Sequence, residues 1–181
     1  MMRSIAPWLR SFRDDREGVS AVEFALIAPI MILFYFGMSE ICQGFMAQKR
    51  TEHVASTIAD LVAQEETVST ATLTDIFTVA AQILKPYPTT TLRQRLTSVT
   101  KNVTTGIAKV DWSASSNWTT RATASTVTLP ANLIANGDSV IMAEVEYPYS
   151  SPFNYVMPSS ITFTKTYYLR PRQSTAVTKV G

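Results

Sequence analysis

Glu144 and Glu146 are the first residues in this chain whose type and spacing suggest chemistry. Carboxylates at i and i+2 share one face of a strand, and a glycosidase uses such a pair as acid and base when an apolar setting pushes one pKa above the other. No such setting is visible here. The pair alternates with Ile141, Ala143, Val145 and Tyr147, which places both acids on the wet face of a strand. His53 is the only histidine and Cys42 the only cysteine. One histidine without acidic or cysteine companions at ligand spacing does not make a metal site, and one cysteine forms neither an intrachain disulfide nor a cysteine zinc cluster. The sequence has no glycine-rich phosphate loop, nucleophile elbow or HExxH helix, so neither an enzyme nor a cofactor is expected. The remaining candidate is Glu23, the single charge within an apolar run that ends before Glu40. A charge at mid-bilayer costs about 2.5–3.5 kcal/mol on the insertion scale, so an acid placed there is a functional residue by default.

The element that positions Glu23 is the run from Gly18 to Glu40. Between Glu17 and Glu40 lie about 22 residues, which as a helix span about 33 Å, enough to cross a hydrocarbon core of about 30 Å. We read residues 19–40 as a transmembrane helix. Arg3, Arg10, Arg13 and Arg16 precede it and hold residues 1–18, a leader, on the cytoplasmic side; the chain beyond residue 40 faces the periplasm. Pro29 withdraws a backbone donor from the helix and marks a kink. Cys42 reads as a small apolar residue at the membrane boundary. The formal charge is only +2 and the bases are scattered, so no nucleic acid is expected as a partner.

Past the span, Val54, Ile58, Leu61 and Val62 recur at helical spacing, so residues 41–66 continue outward as an amphipathic stem with one stripe to bury. A polar break interrupts the chain at 67–70. Thr72 with Asp75 gives a capping box for a second helix, whose inner face is Leu73, Phe77, Ala80 and Leu84 and which Pro86 and Pro88 stop near residue 84. Beyond Pro88 the composition turns to threonine, serine and β-branched residues, predicting strands over 92–101, 107–113, 139–147 and 161–169. Ala108, Val110 and Trp112 should share one inward face, and Ile141, Val145, Phe163 and Tyr167 should be buried. Asn136-Gly137-Asp138 is the turn that launches the third strand, and a loop over 148–160 carries Tyr149, Phe153 and Tyr155 with Pro148, Pro152 and Pro158. Residues 113–125 read as a polar loop around Trp118 with no assignment. Asn102-Val103-Thr104 and Asn117-Trp118-Thr119 match the glycosylation triplet, a pattern short enough to arise by chance. The fold class is therefore α+β and membrane-anchored: a long N-terminal helix and stem, a second helix, and a C-terminal antiparallel sheet packed on the helices, with residues 67–181 forming the periplasmic domain.

Gly18-Val19-Ser20-Ala21-Val22-Glu23 followed by an unbroken apolar run resembles the processing site of type IV pilin precursors. The wider string from Arg16 through Glu23-Phe24-Ala25-Leu26-Ile27-Ala28-Pro29 to Phe36-Gly37-Met38-Ser39-Glu40 resembles the TadE/TadF group of the tight-adherence (Tad) pilus machinery. The 139–145 strand and the ending Thr166-Tyr167-Tyr168-Leu169-Arg170-Pro171-Arg172 are similar to the longer TadE-type proteins, whereas residues 68–135 carry no family motif. The resemblance implies a minor pilin or pseudopilin, cut between Gly18 and Val19 by a prepilin peptidase and inserted in the bacterial inner membrane. It implies that Glu23 and Phe24 serve subunit assembly, with Pro29 the helix kink. The implied partners are other pilins or pseudopilins and the inner-membrane platform of the pilus machine. Two alternatives stand beside this reading: a recognition or adhesin module at a filament tip, using Trp118 or the 149–155 loop on a partner or glycan, and an uncleaved bitopic scaffold of a secretion complex.

Overall fold

The computed structural model describes residues 17–153 and 160–181. The leader before Glu17, with its four arginines, and Tyr155 and Pro158 of the aromatic loop lie outside the described residues.

Helix α1 (Glu17–Ala63) is one uninterrupted element of 47 residues, about 70 Å long at 1.5 Å per residue. It continues through Pro29, and it ends three residues before the expected end of the stem. Its surroundings change halfway. From Gly18 to Tyr35 no residue is buried, whereas beyond Phe36 buried positions return every three or four residues: Gly37, Glu40, Gly44, Ala47, Thr51, Val54, Ile58 and Val62. That spacing is one face of a helix, and the sheet covers it. Side chains on the stripe grow from glycine and alanine near the span to valine and isoleucine further out.

The polar break at 67–70 proves to be a short strand, β1 (Thr67–Ser69), which pairs in parallel with β6 (Thr178–Val180) near the C-terminus. Helix α2 (Thr70–Leu84) begins at once. Its cap is Ser69, whose hydroxyl accepts from the Thr72 N–H at 3.0 Å, so the helix starts earlier than a Thr72 cap would place it. Both Ser69 and Thr72 are competent capping residues; pairing of β1 holds Ser69 extended, as a cap residue must be, and leaves Thr72 inside the first turn. The expected inner face is buried, together with Ile76.

Strands β2 (Arg93–Lys101), β3 (Ala108–Ser116), β4 (Ser139–Tyr149) and β5 (Ile161–Leu169) form an antiparallel sheet in the order β3-β2-β4-β5. Gly137, at φ 95°, makes the turn into β4. Pro148 lies within β4 rather than starting a loop. Pairing with β2 ends at Glu146, so Pro148 needs no N–H on that side and pairs only with Thr162 of β5.

The sheet has two covered faces. Leu96, Trp112, Ile141, Ala143, Val145 and Tyr147 pack on Val54, Ile58 and Val62 of α1 and on Leu73, Phe77 and Leu84 of α2. On the opposite face Val99, Val110, Val140 and Met142 are covered by Val127 and Ile134, from the long connection between β3 and β4. A register shift at Ser98/Val99, opposite Asp111, explains why Ala108, Val110 and Trp112 do not share a face as their alternation predicts: Ala108 and Val110 lie under the connection while Trp112 faces the helices. Ile141 and Val145 are fully buried and Phe163 is half-buried, but Tyr167 is 42% exposed. β5 is the edge strand, so α1 covers its residues only in part.

The C-terminal segment is tied back across the end of α1. Arg172 donates its backbone N–H to the Ala63 carbonyl and pairs through its side chain with Asp60, and the Trp112 indole N–H donates to the Val177 carbonyl at 2.7 Å.

Candidate functional site

The residues singled out at the N-terminal end all lie on the exposed half of α1. Gly18, Val19, Glu23, Phe24 and Pro29 are exposed, Phe24 by 73%. Val19 and Glu23 stand one turn apart on the same face, since residues at i and i+4 align. A methyl group added at Gly18 would meet nothing within 4 Å. Glycine in a helix costs about 0.8–1 kcal/mol relative to alanine, and the fold offers no steric reason for it here. Glu23 makes no hydrogen bond or ion pair with another described residue. Pro29 deprives the Ala25 carbonyl of its helical donor at an exposed position.

Where α1 leaves this apolar zone an aromatic cluster packs against its sheet-facing side. The Phe36 ring meets Phe153 at 5.5 Å, Tyr149 stands 5.8 Å from Tyr87 and 6.1 Å from Phe163, and the Tyr87 hydroxyl donates to the Gln43 carbonyl at 3.0 Å. Tyrosines such as Tyr87 and Tyr149, apolar with one polar tip, gather at membrane–water boundaries. The Glu40 side chain, which the sequence places as the outer flank of the span, is fully buried in the region of this cluster. The Tyr149 phenol is pushed above its ordinary pKa by burial first, then by Tyr87 and by the Glu40 carboxylate. Opposite the sheet, Met38, Ile41, Phe45 and Met46 keep α1 apolar and exposed for two further turns, and Cys42 lies exposed among them.

The carboxylate pair of β4 is placed differently from the expectation. Glu144 is buried, not wet, because Arg95 of β2 and Arg121 of the β3–β4 connection close over it. Arg95 Nε and Nη2 donate to Glu144 at 2.7 and 2.9 Å, and Arg121 Nη2 and Nε at 2.8 and 3.2 Å. The Arg95 guanidinium also lies over the Trp118 ring, 4.3 Å from its centre, and donates to the Thr119 carbonyl. Trp118 thus belongs to a clasp that fastens the connection to the sheet. Burial alone would raise the Glu144 pKa, but hydrogen bonds and charge from Arg95 and Arg121 outweigh it and hold the carboxyl below 4.5. A carboxylate pinned at both oxygens and ionised at neutral pH is no general acid. Glu146 pairs separately with Arg93 at 2.7 Å near the surface. His53 is exposed, and among the described residues no three His, Cys, Asp or Glu side chains gather as a metal set.

A helix this long and apolar, exposed over its first half and carrying a compact sheet domain on its second, fits a membrane-anchored α+β protein. Residues 18–60 match the family model described as TadE-like protein. That match opens on Gly18 and runs to the last turn of the stem, so it covers both halves of α1. No curated protein and no solved structure matches the chain. Sequence reasoning missed the small-residue stripe Gly37-Gly44-Ala47, although its seven- and three-residue spacing, one helix face, was there to be read; nothing in the sequence signals the clasp, whose arginines lie 49 and 23 residues from Glu144.

Proposed function

We propose that this protein is a minor pilin or pseudopilin of a Tad-type pilus, a structural and not an enzymatic component. The observation that carries the reading is the coincidence at Gly18. The TadE-like match begins there, the apolar run of the sequence begins there after the last flanking charge at Glu17, and a glycine stands there with open space around it. A peptidase that must approach the backbone closely supplies the missing reason. Cleavage between Gly18 and Val19 by a prepilin peptidase leaves a charged amine one turn from Glu23. When subunits come together in an apolar bundle, Glu23 of one pairs with the Val19 amine of its neighbour, and two groups each expensive to bury become less so together. Phe24, on the exposed half of α1, contributes apolar surface to the same contact, and Pro29 provides a bend point between this end and the anchored domain. The globular domain then lies on the periplasmic side, and the partners are other pilins and the inner-membrane platform.

Intact-mass measurement of the mature protein tests the reading: a chain beginning at Val19 is expected, and Gly18→Leu should retain the leader. A native chain that keeps its leader would make the protein an uncleaved bitopic scaffold. Recovery in sheared pili, rather than only in inner-membrane fractions, tests entry into the filament.

A further inference from the structure

On the face turned away from the sheet, α1 stays apolar and exposed well past Glu40. Met38, Cys42, Phe45 and Met46 share that face, at intervals of three and four residues. Glu40 does not interrupt it, because its side chain is fully buried on the domain side. The first exposed charge is Lys49, one turn beyond Phe45, and exposed His53 follows on the same face. The Lys49 ammonium lies 5.8 Å from the centre of the Phe45 ring and pairs with Glu52 at 3.2 Å.

Length decides what this stripe requires. Between Glu23 and Lys49 lie 25 residues without an exposed charge, about 38 Å of helix. A hydrocarbon core is about 30 Å thick, so an upright helix would leave about 8 Å of apolar surface in water. Membrane helices take up such an excess by leaning. Only one direction suits this chain. A lean toward the domain would press its membrane-facing end into lipid, where Arg50 donates to the Ile83 carbonyl at 3.0 Å and Lys85, just past α2, is exposed. A lean away from the domain submerges Cys42, Phe45 and Met46 instead and brings Lys49 to the headgroups, where an ammonium on an apolar stem meets lipid phosphate.

We infer that the lipid bilayer covers this face as far as Met46, so that α1 leans away from its domain and Lys49, rather than Glu40, marks the water boundary there. A second copy of the helix is the poorer occupant. Helices in lipid approach one another through small residues, and Gly37, Gly44 and Ala47 are all buried on the sheet side, which leaves bulky Met38, Phe45 and Met46 outward.

The test reads depth with a nitroxide label on the full-length chain in vesicles of phosphatidylethanolamine and phosphatidylglycerol. Cys42 is the only cysteine, so the first site needs no substitution. Met46→Cys and His53→Cys, each with Cys42→Ser, place the label on either side of Lys49 at exposed positions. Oxygen concentrates in hydrocarbon and a nickel chelate in water. Relaxation by oxygen should exceed that by nickel at positions 42 and 46, and the order should reverse at 53. Nickel reaching position 46 as freely as 53 would overturn the inference, as would oxygen dominance persisting at 53. Exclusion of both reagents from 46, with spin–spin broadening that disappears on dilution with unlabelled protein, would overturn it in favour of a second copy. The measurement needs only the inserted chain, so its outcome is independent of processing at Gly18 and of pilus entry.

Discussion

The two halves of α1 belong to one helix and obey different rules. Beyond Phe36 the face turned to the sheet is set by packing. Thr51 is a buried polar residue in the stripe, but its hydroxyl donates to the Ala47 carbonyl at 2.9 Å. The small residues Gly37, Gly44 and Ala47 are buried on the face of α1 that carries the stripe. Before Phe36 the anomalies have no such cause. Gly18 has open space around it, and Glu23 has no partner among the described residues. Residue size also follows no packing order there, with Phe24, Ile30, Leu33 and Tyr35 all more than half exposed. The contrast separates residues chosen by the fold from residues chosen by something the chain meets outside it.

Substituting the same residue type in each half tests that division most severely. Ile58 is completely buried against the sheet, and Ile58→Ala should destabilise the domain by about 2–5 kcal/mol through lost transfer energy and a cavity. Ile27, at 57% exposure, should give no more than about 0.5 kcal/mol in Ile27→Ala. Denaturant unfolding of both variants in micelles, followed by tryptophan fluorescence, measures the difference. Equal losses would mean that the outer half is part of the same cooperative unit.

Breaking the clasp should have the next largest effect, and it sharpens the comparison by showing a charge that the fold does satisfy. Removing one partner of a buried pair destabilises by about 3–5 kcal/mol, but Arg121 stays on Glu144, so Arg95→Ala should cost toward 2 kcal/mol. The pH dependence has a definite sign. Because the folded carboxyl titrates below its ordinary value of 4.5, its contribution is complete above about pH 4.5 and is lost as pH falls through the lower folded pKa. Acid unfolding of the wild type below pH 4.5 should therefore be steeper than that of Glu144→Gln. Matching acid limbs in the two proteins would take Glu144 out of the pH response.

A smaller effect belongs to Ser69, where cap and strand meet. Ser69→Ala should lower stability by about 1 kcal/mol, and Thr72→Ala, lacking the N-cap role, by less. The reverse order would restore Thr72 as the cap.

The main elements were legible because they rest on period. Alternation set the bounds of β5, helical spacing found the stem, and the apolar faces of β4 and, but for Ile76, of α2 were read correctly. What period does not carry is coverage. Glu144 alternates with apolar residues as an exposed acid would, and only Arg95 and Arg121, distant in sequence, turn that position inward. Tyr167 alternates as a buried residue would, and only its place on an edge strand exposes it. The bulge opposite Asp111 shifts a face without leaving a glycine or proline to announce it. At the N-terminal end the opposite holds: Gly18, Glu23 and Pro29 stand out in the sequence, and the fold adds only that it has no use for two of them.

The smallest expected effect on stability carries the most about function. Glu23→Ala lies on the exposed half of α1, so unfolding of the domain should change by no more than about 0.5 kcal/mol. Membrane insertion should persist and become slightly easier, since a potential charge leaves the apolar run. Leader removal should also continue, because Gly18 and Val19 are untouched. Assembly is the step that should fail. Under the proposed processing, the free amine of Val19 is positive at neutral pH, and in a bundle of apolar helices it would lose water without gaining a carboxylate. Recovery of the variant in sheared pili, or with other pilins after mild detergent extraction, should fall well below wild type. Glu23→Gln should fall with it, since an amide of the same shape supplies no charge. An interfacial acid with no role predicts full recovery of both variants, and that result would leave α1 as an anchor alone.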